Sequence, residues 1–294
     1  MDHSDLPGKM DIWVEERHRD ITALRFRVTD VLFSGTSRYQ TIQIVDTEGF
    51  GRMLFNDGAV MLSERDEFVY HDMIAHVPLF VHPAPERVLI IGGGDGGTAR
   101  EVLRHREVHS CHMVEIDAMV VEACREHLPS TASALDDPRL ELIIGDGVRY
   151  VEETADAYDV VIVDSTDPVG PAAPLFGKAF YGNVARILGD GGIAVAQAES
   201  PFFESEAQTT LLESLTARFS GVHLYNFANM TYPGGLWSFS FASNVLHPLR
   251  DFDPDRVKRS GLECRYYNPA VHRAAFALPS FHRQALPAGV NPED

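Results

Sequence analysis

The chain has 294 residues, 45% of them hydrophobic, enough for one large domain or for a standard domain with a smaller attachment. Its 43 acidic residues against 25 basic ones leave a formal charge of −18, which repels a phosphate backbone, argues against nucleic-acid binding and steers cationic solutes toward the surface. No apolar run approaches the roughly 18 residues of a membrane span, the start lacks the order of a signal peptide, and Cys111, Cys124 and Cys264 show no C-x-x-C spacing, so a cytoplasmic protein with reduced thiols and no membrane partner is expected.

From Trp13 to about Val60 short runs alternate polar and apolar residues, broken by Gly35, Gly49, Gly51 and the turn-like Asn56-Asp57-Gly58. This predicts a small antiparallel β-domain over residues 1–64, whose apolar faces make it a candidate assembly element for a homodimer or homotetramer. Ser63 to Phe68 supplies capping and acidic first-turn residues for a helix running through Tyr70, His71, Met73 and Ile74. From Val88 the pattern becomes buried strands separated by helix-length segments: Val88–Ile91, His112–Ile116, Leu140–Ile144, Asp159–Val163 and Ile193–Ala196. Strands near Val222–Phe227 and Leu236–Ala242 lie too close in sequence for a crossover helix and should pair antiparallel at the edge of an otherwise parallel sheet. Residues 65–294 therefore read as an α/β, Rossmann-like domain that resembles the seven-stranded fold of S-adenosylmethionine-dependent methyltransferases.

The first parallel strand runs into Gly92-Gly93-Gly94-Asp95-Gly96-Gly97 and then a helix, the place where a doubly wound sheet takes a nucleotide-like ligand. A tight strand-to-helix turn would use the same glycines. Glu115, however, ends the second strand where an acidic residue accepts hydrogen bonds from ribose, so the pair points to an adenosine compound. Asp95 disfavours a dinucleotide, because a carboxylate inside the loop would face a pyrophosphate, and it suits a ligand that presents an ammonium there. The fourth strand ends in Asp164-Ser165-Thr166-Asp167-Pro168, which puts two carboxylates at the ligand end of the sheet. Such residues also serve as turn caps. A diamine is doubly protonated near neutral pH, so one carboxylate would anchor an ammonium and the other would take a proton from the attacking amine; Asp164 suits the base and Asp167 the anchor.

The set GGGDGG at 92–97, EID at 115–117, DDPR at 136–139, GDG at 145–147, DSTDPVGPA at 164–172 and TYPGGLWSF at 231–239 resembles the spermidine synthase family over most of the chain, and 264–279 is similar to the end of bacterial members. The resemblance implies that Gln40 and Glu115 contact the nucleoside of the donor, with Gly92 and Gly94 in its loop, Asp146 and Gly147 at its adenine and Pro171 near the product nucleoside. It further implies that Tyr70 and His71 line the amine channel, that Asp95 lies near the aminopropyl end, that Asp164 accepts the proton, that Asp167 holds the distal ammonium and that Tyr232 closes the acceptor pocket. Met61 stands where many relatives carry glutamine, and Met230 where proline is frequent.

The expected reaction transfers the aminopropyl group of decarboxylated S-adenosylmethionine to putrescine, giving spermidine and 5′-methylthioadenosine, with the donor as co-substrate and no cofactor or metal. His105, His109 and His112 straddle a helix end and a strand and lack the ligand set expected of zinc. The alternatives are the same transfer to cadaverine or agmatine, an S-adenosylmethionine-dependent methyltransferase, and a non-catalytic polyamine-binding protein.

Overall fold

The computed structural model describes residues 11–168 and 170–291, apart from the side chains of Pro171 and Asp190. Its first 53 described residues hold a five-stranded antiparallel meander: β1 (Ile12–His18), β2 (Thr22–Thr36), β3 (Thr41–Thr47), β4 (Gly51–Asn56) and β5 (Ala59–Ser63). Asp57 (φ 49°) and Gly58 (φ 85°) form the hairpin turn between β4 and β5 that the Asp-Gly pair predicts. The turn from β1 to β2 uses Arg19 and Asp20 in the same left-handed region, where the sequence carries no glycine. Alternation puts Ile42, Ile44, Leu54 and Leu62 into a shared core with the second sheet, while Phe26, Val45, Met53, Phe55 and Val60 form a core of their own on the opposite face.

Helix α1 (Glu67–Val81) leads into the second sheet, and only Phe68 in it escapes full burial. The sequence predicts capping residues between Ser63 and Phe68, but Asp66 at the N-cap makes no cap bond. Its carboxylate instead accepts from Ser63 Oγ at 2.6 Å, from the Met230 and Thr231 amides at 3.0 and 3.1 Å, and from the Thr231 hydroxyl. A buried carboxylate that satisfies three donors on a distant loop outcompetes a local cap.

The chain then alternates through β6 (Arg87–Gly92), α2 (Gly97–Leu103), β7 (Ser110–Glu115), α3 (Ala118–His127), β8 (Leu140–Ile144), α4 (Gly147–Glu153), β9 (Tyr158–Asp164), α5 (Lys178–Ile187), β10 (Leu188–Gln197) and α6 (Ser205–Thr216). After β11 (Gly221–Ala228) and β12 (Leu236–Ser243) come the short helices α7 (Pro254–Ser260), α8 (Pro269–Ala275) and α9 (Ser280–Ala285). The strand order is β11-β12-β10-β9-β6-β7-β8. β12 runs antiparallel to both neighbours and the other pairings are parallel, in line with the seven-stranded mixed sheet expected. Connections diverge on either side of the β6–β9 pair, and a sheet of this kind leaves its ligand crevice beyond the carboxyl ends of such strands. Gly92 and Asp164 are register partners there, so the glycine loop and the first carboxylate emerge side by side.

Candidate active site

A cavity of about 440 Å³ opens at this point, floored by the ends of β6, β7 and β9 and roofed by residues of the first sheet. It is bordered by Gln40, Tyr70, His71, Gly92, Gly94, Asp95, Glu115, Asp146, Gly147, Asp164, Asp167 and Tyr232, residues that are spread over most of the sequence. The side chain of Pro171 lies outside the described residues.

At one end the glycine loop is shaped by what presses on it. Gly93 donates its amide to the Asp164 carbonyl at 2.9 Å, and a Cβ at Gly92, whose φ is +85°, would stand 2.0 Å from that oxygen. A Cβ at Gly97 would lie 2.2–2.5 Å from three atoms of the His71 ring. Glu115 packs against Gly94 and accepts the Asp117 amide at 2.8 Å; burial, reinforced by Asp117, Asp164 and Asp95, pushes its carboxyl up to about 7. Gln40 is held from below, donating through Nε2 to Asp117 Oδ2 at 3.1 Å. Asp146 sits exposed at the rim and uses Oδ1 to cap α4 through the Val148 amide at 2.8 Å.

In the middle, Asp164 is gripped on both oxygens: Tyr70 donates its hydroxyl to Oδ1 and Thr98 to Oδ2, each at 2.6 Å. Burial, with Asp95 adding to it, raises this carboxyl above the usual aspartate range, against the opposing pull of His71, Thr98 and Tyr70. His71 lies between carboxylates, its Nδ1 2.5 Å from Glu67 and its Nε2 3.3 Å from Asp95. Burial alone would lower the imidazole, but Asp95 and Glu67 lift it to about 10, so it is a cation at neutral pH. Arg100 holds Glu67 through Nη1 and Nη2, at 3.2 and 2.8 Å, and Glu67 is in turn brought down to about 2, against burial, by His71 and Arg100. The carboxylate next to the glycine loop is therefore matched by a fixed charge supplied from α1.

The far end is acidic and weakly compensated. Burial, followed by the nearby Glu204, raises Asp167 above its usual range. Glu199, fully buried and held at φ 64°, is pushed up to about 9 by burial and by Asp167 and Glu204, and neither of its oxygens meets hydrogen-bond geometry among the described residues. Glu16 reaches in from β1, accepts the Val60 amide at 3.3 Å, and is raised to about 7 mainly by burial. Glu204 has its own basic partners, Arg19 donating to it at 3.0 and 2.7 Å and His18 Nε2 3.1 Å away. Tyr232 makes a wall, its ring 6.1 Å from that of Tyr70 and its hydroxyl donating to the Met61 carbonyl at 2.6 Å. That bond is to backbone, so the departure at Met61 leaves it intact.

Sequence reasoning missed Thr98, Glu67, Glu16 and Glu199. Glu16 carried a usable signal, an acid on the inward phase of an alternating strand, since it is the one buried residue of β1. Glu199 gives no such sign, because its burial follows from a left-handed backbone just beyond β10.

Comparison with known proteins gives concordant results. The model of the spermine/spermidine synthase domain matches residues 67–253, and that of the spermidine synthase tetramerisation domain matches residues 12–64. The polyamine aminopropyltransferase of Caldicellulosiruptor saccharolyticus is 45% identical over 95% of this chain and 99% of its own length. That of Methanocaldococcus jannaschii is 44% identical over 95% and 96%. Among solved structures, a spermidine synthase in complex with the transition-state analogue AdoDATO superposes with a TM-score of 0.93 at 40% identity, covering 95% of this chain and 96% of that one. Spermidine synthase from Thermotoga maritima gives 0.91 at 40% identity, covering 95% of both.

Proposed function

The chain belongs to the spermine/spermidine synthase family, an aminopropyltransferase by its relatives, and we propose that its substrates are decarboxylated S-adenosylmethionine and putrescine, its products spermidine and 5′-methylthioadenosine. The observation that carries this reading is the division of the cavity. One carboxylate, Asp164, stands beside the donor loop, and two more, Glu16 and Asp167, line the cavity beyond it, with the buried Glu199 acting on Asp167 from behind the wall. A short α,ω-diamine offers one ammonium to each.

In this proposal the donor nucleoside lies along Gly92, Gly94 and Glu115, with Gln40 steadying that wall through Asp117, Asp146 and Gly147 beneath the adenine, and Pro171 near the product nucleoside. The donor's aminopropyl ammonium pairs with Asp95. The distal ammonium of the diamine is held by Asp167 and its neighbours, and Tyr70 and Tyr232 pack against the methylene chain. The near ammonium gives a proton to Asp164, whose raised affinity for protons suits a general base. The freed nitrogen attacks the methylene carbon next to the sulfonium; the C–N bond forms as the C–S bond breaks, and its electron pair leaves with sulfur as a neutral thioether. The positive sulfur makes a good leaving group, so the reaction asks the protein for alignment and charge placement, without a cofactor or metal.

The name of the N-terminal family model supports assembly into a homotetramer or a homodimer, as do Ile12, Trp13, Ile21 and Val31, which are 47–75% exposed on the first sheet. Among the described residues no helix is long and apolar enough to cross a membrane, and a cytoplasmic location fits the reading. The test is a mass-resolved reaction of decarboxylated S-adenosylmethionine with an equimolar mixture of putrescine, cadaverine and agmatine. Spermidine and methylthioadenosine should dominate; a guanidino or longer product would keep the transfer and replace the acceptor. Methyl transfer from intact S-adenosylmethionine, without aminopropyl transfer, would sink the reading.

A further inference from the structure

The face of α1 turned away from the cavity carries a second group of polar residues that the reaction does not use. Asp72, His76 and Cys264 are its centre, and their ligand-type atoms all lie within 4.8 Å of one another. Asp72 and His76 are 2% and 0% exposed, one turn apart on α1, and Cys264 is half-buried on the segment between α7 and α8. Among the described residues this is the only such group of three, and 188 positions separate His76 from Cys264, so the sequence alone could not bring them together.

We propose that Asp72, His76 and Cys264 form a site for a zinc-class divalent cation, which clasps α1 to the C-terminal segment. Three features of the surroundings support it. First, the donor set of carboxylate oxygen, imidazole nitrogen and sulfur suits a borderline-soft ion better than magnesium or calcium. Second, two of the three protein ligands are oriented by outer contacts. Asp72 Oδ2 accepts the Tyr266 and Tyr267 amides at 2.8 and 3.1 Å, which leaves Oδ1 toward His76 Nε2, 3.8 Å away. His76 Nδ1 lies 2.9 Å from His105 Nε2, a hydrogen bond that leaves His76 Nε2 for the ion. Third, the spacing is close: bonds of about 2.0–2.3 Å place tetrahedral ligand atoms roughly 3.3–3.8 Å apart, and the three atoms already lie within 4.8 Å of one another.

The fourth position falls to Glu101, whose Oε2 is 3.1 Å from His76 Nε2, or to water. Arg104 lies close, at 2.5 Å from Glu101 Oε2, and also donates to the Glu263 carbonyl at 2.6 Å. Together with Arg100, whose Nε is 2.8 Å from Glu101 Oε1, it offsets part of the negative charge of two carboxylates and a thiolate. Ligation as a thiolate requires Cys264 to give up its proton on binding.

The test uses the full chain stripped with a chelator, then titrated separately with Zn²⁺ and Co²⁺. One equivalent of zinc should bind per chain and raise Tm, and the cobalt form should show the near-ultraviolet sulfur-to-metal charge-transfer band of a thiolate ligand. Cys264→Ala, a change on a half-buried loop position, should abolish that band and weaken zinc binding by at least about tenfold. His76→Gln should do the same if it folds, and the cysteine variant decides the matter if it does not. Zinc binding of unchanged affinity in Cys264→Ala, a cobalt spectrum without the sulfur band, or no bound equivalent would overturn the proposal.

Discussion

The two ends of the cavity are built in different ways. The donor end is local: the loop 92–97, Glu115 and the 145–147 turn each follow directly on a strand of one sheet, and their backbone contacts hold them whatever lies in the cavity. The amine end is assembled from β1, α1, the loop after β9, the end of β10 and the loop 229–235, and its character rests on single carboxyl groups whose charge burial opposes. A site made of redundant backbone geometry should lose function gradually on mutation. One made of a few desolvated charges should lose it steeply and with a marked dependence on pH.

The largest effect expected is therefore at the junction of the two ends. Asp164→Asn should lower kcat by about 10²–10⁴, with little change in donor binding measured by titration with methylthioadenosine. Retained turnover would mean that another group takes the proton.

Glu199→Gln comes next and carries two signs at once. A folded carboxyl that ionises at about 9, against 4.5 in its ordinary state, keeps a proton that the unfolded chain releases, so this group's contribution to stability declines as pH rises from 4.5 to 9. The variant has no such decline and should melt higher than the parent near pH 8, while its KM for putrescine rises roughly tenfold or more through loss of the negative charge behind Asp167. A lower Tm with unchanged KM would remove Glu199 from the amine site.

At the donor end, Gln40→Ala should cost only about 0.5–1.5 kcal/mol in donor binding, because it acts through Asp117, and should leave the pH profile unchanged. The smallest effect is expected for Met61→Gln: Tyr232 bonds to the carbonyl of residue 61, so kcat/KM for putrescine should change by less than about threefold, within the range of ordinary surface substitutions.

The same contrast explains what could be read from the sequence. Strand boundaries from Val88 to Ala242 lie within two residues of those predicted, apart from β10, which begins at Leu188 and not Ile193, because buried parallel strands are continuous apolar runs bounded by glycine and aspartate. The donor loop and the Asp164–Asp167 pair were legible because each is a short motif fixed to a strand end. Thr98 was hidden, since a threonine in the first turn of α2 reads as a helix residue, and only the β6–β9 pairing brings Asp164 to it. Glu67 read as a first-turn acid, yet its partners His71 and Arg100 sit on two helices. Asp66 read as a cap, but it binds a loop about 165 residues away. In each case the missing information is long-range pairing, which residue type and local spacing do not encode.

Burial keeps Glu199, behind the amine end, protonated near pH 8 until a diamine arrives. Calorimetric titration of putrescine into the protein saturated with methylthioadenosine, repeated near pH 8 in buffers of different ionisation enthalpy, counts the protons exchanged on binding. Release of about one proton is predicted, as the incoming ammonium draws Glu199 and its neighbours into their charged form, and the release should shrink in Glu199→Gln. Tight binding with no proton release would contradict the account, because it would mean that the far end of the cavity is already ionised when empty.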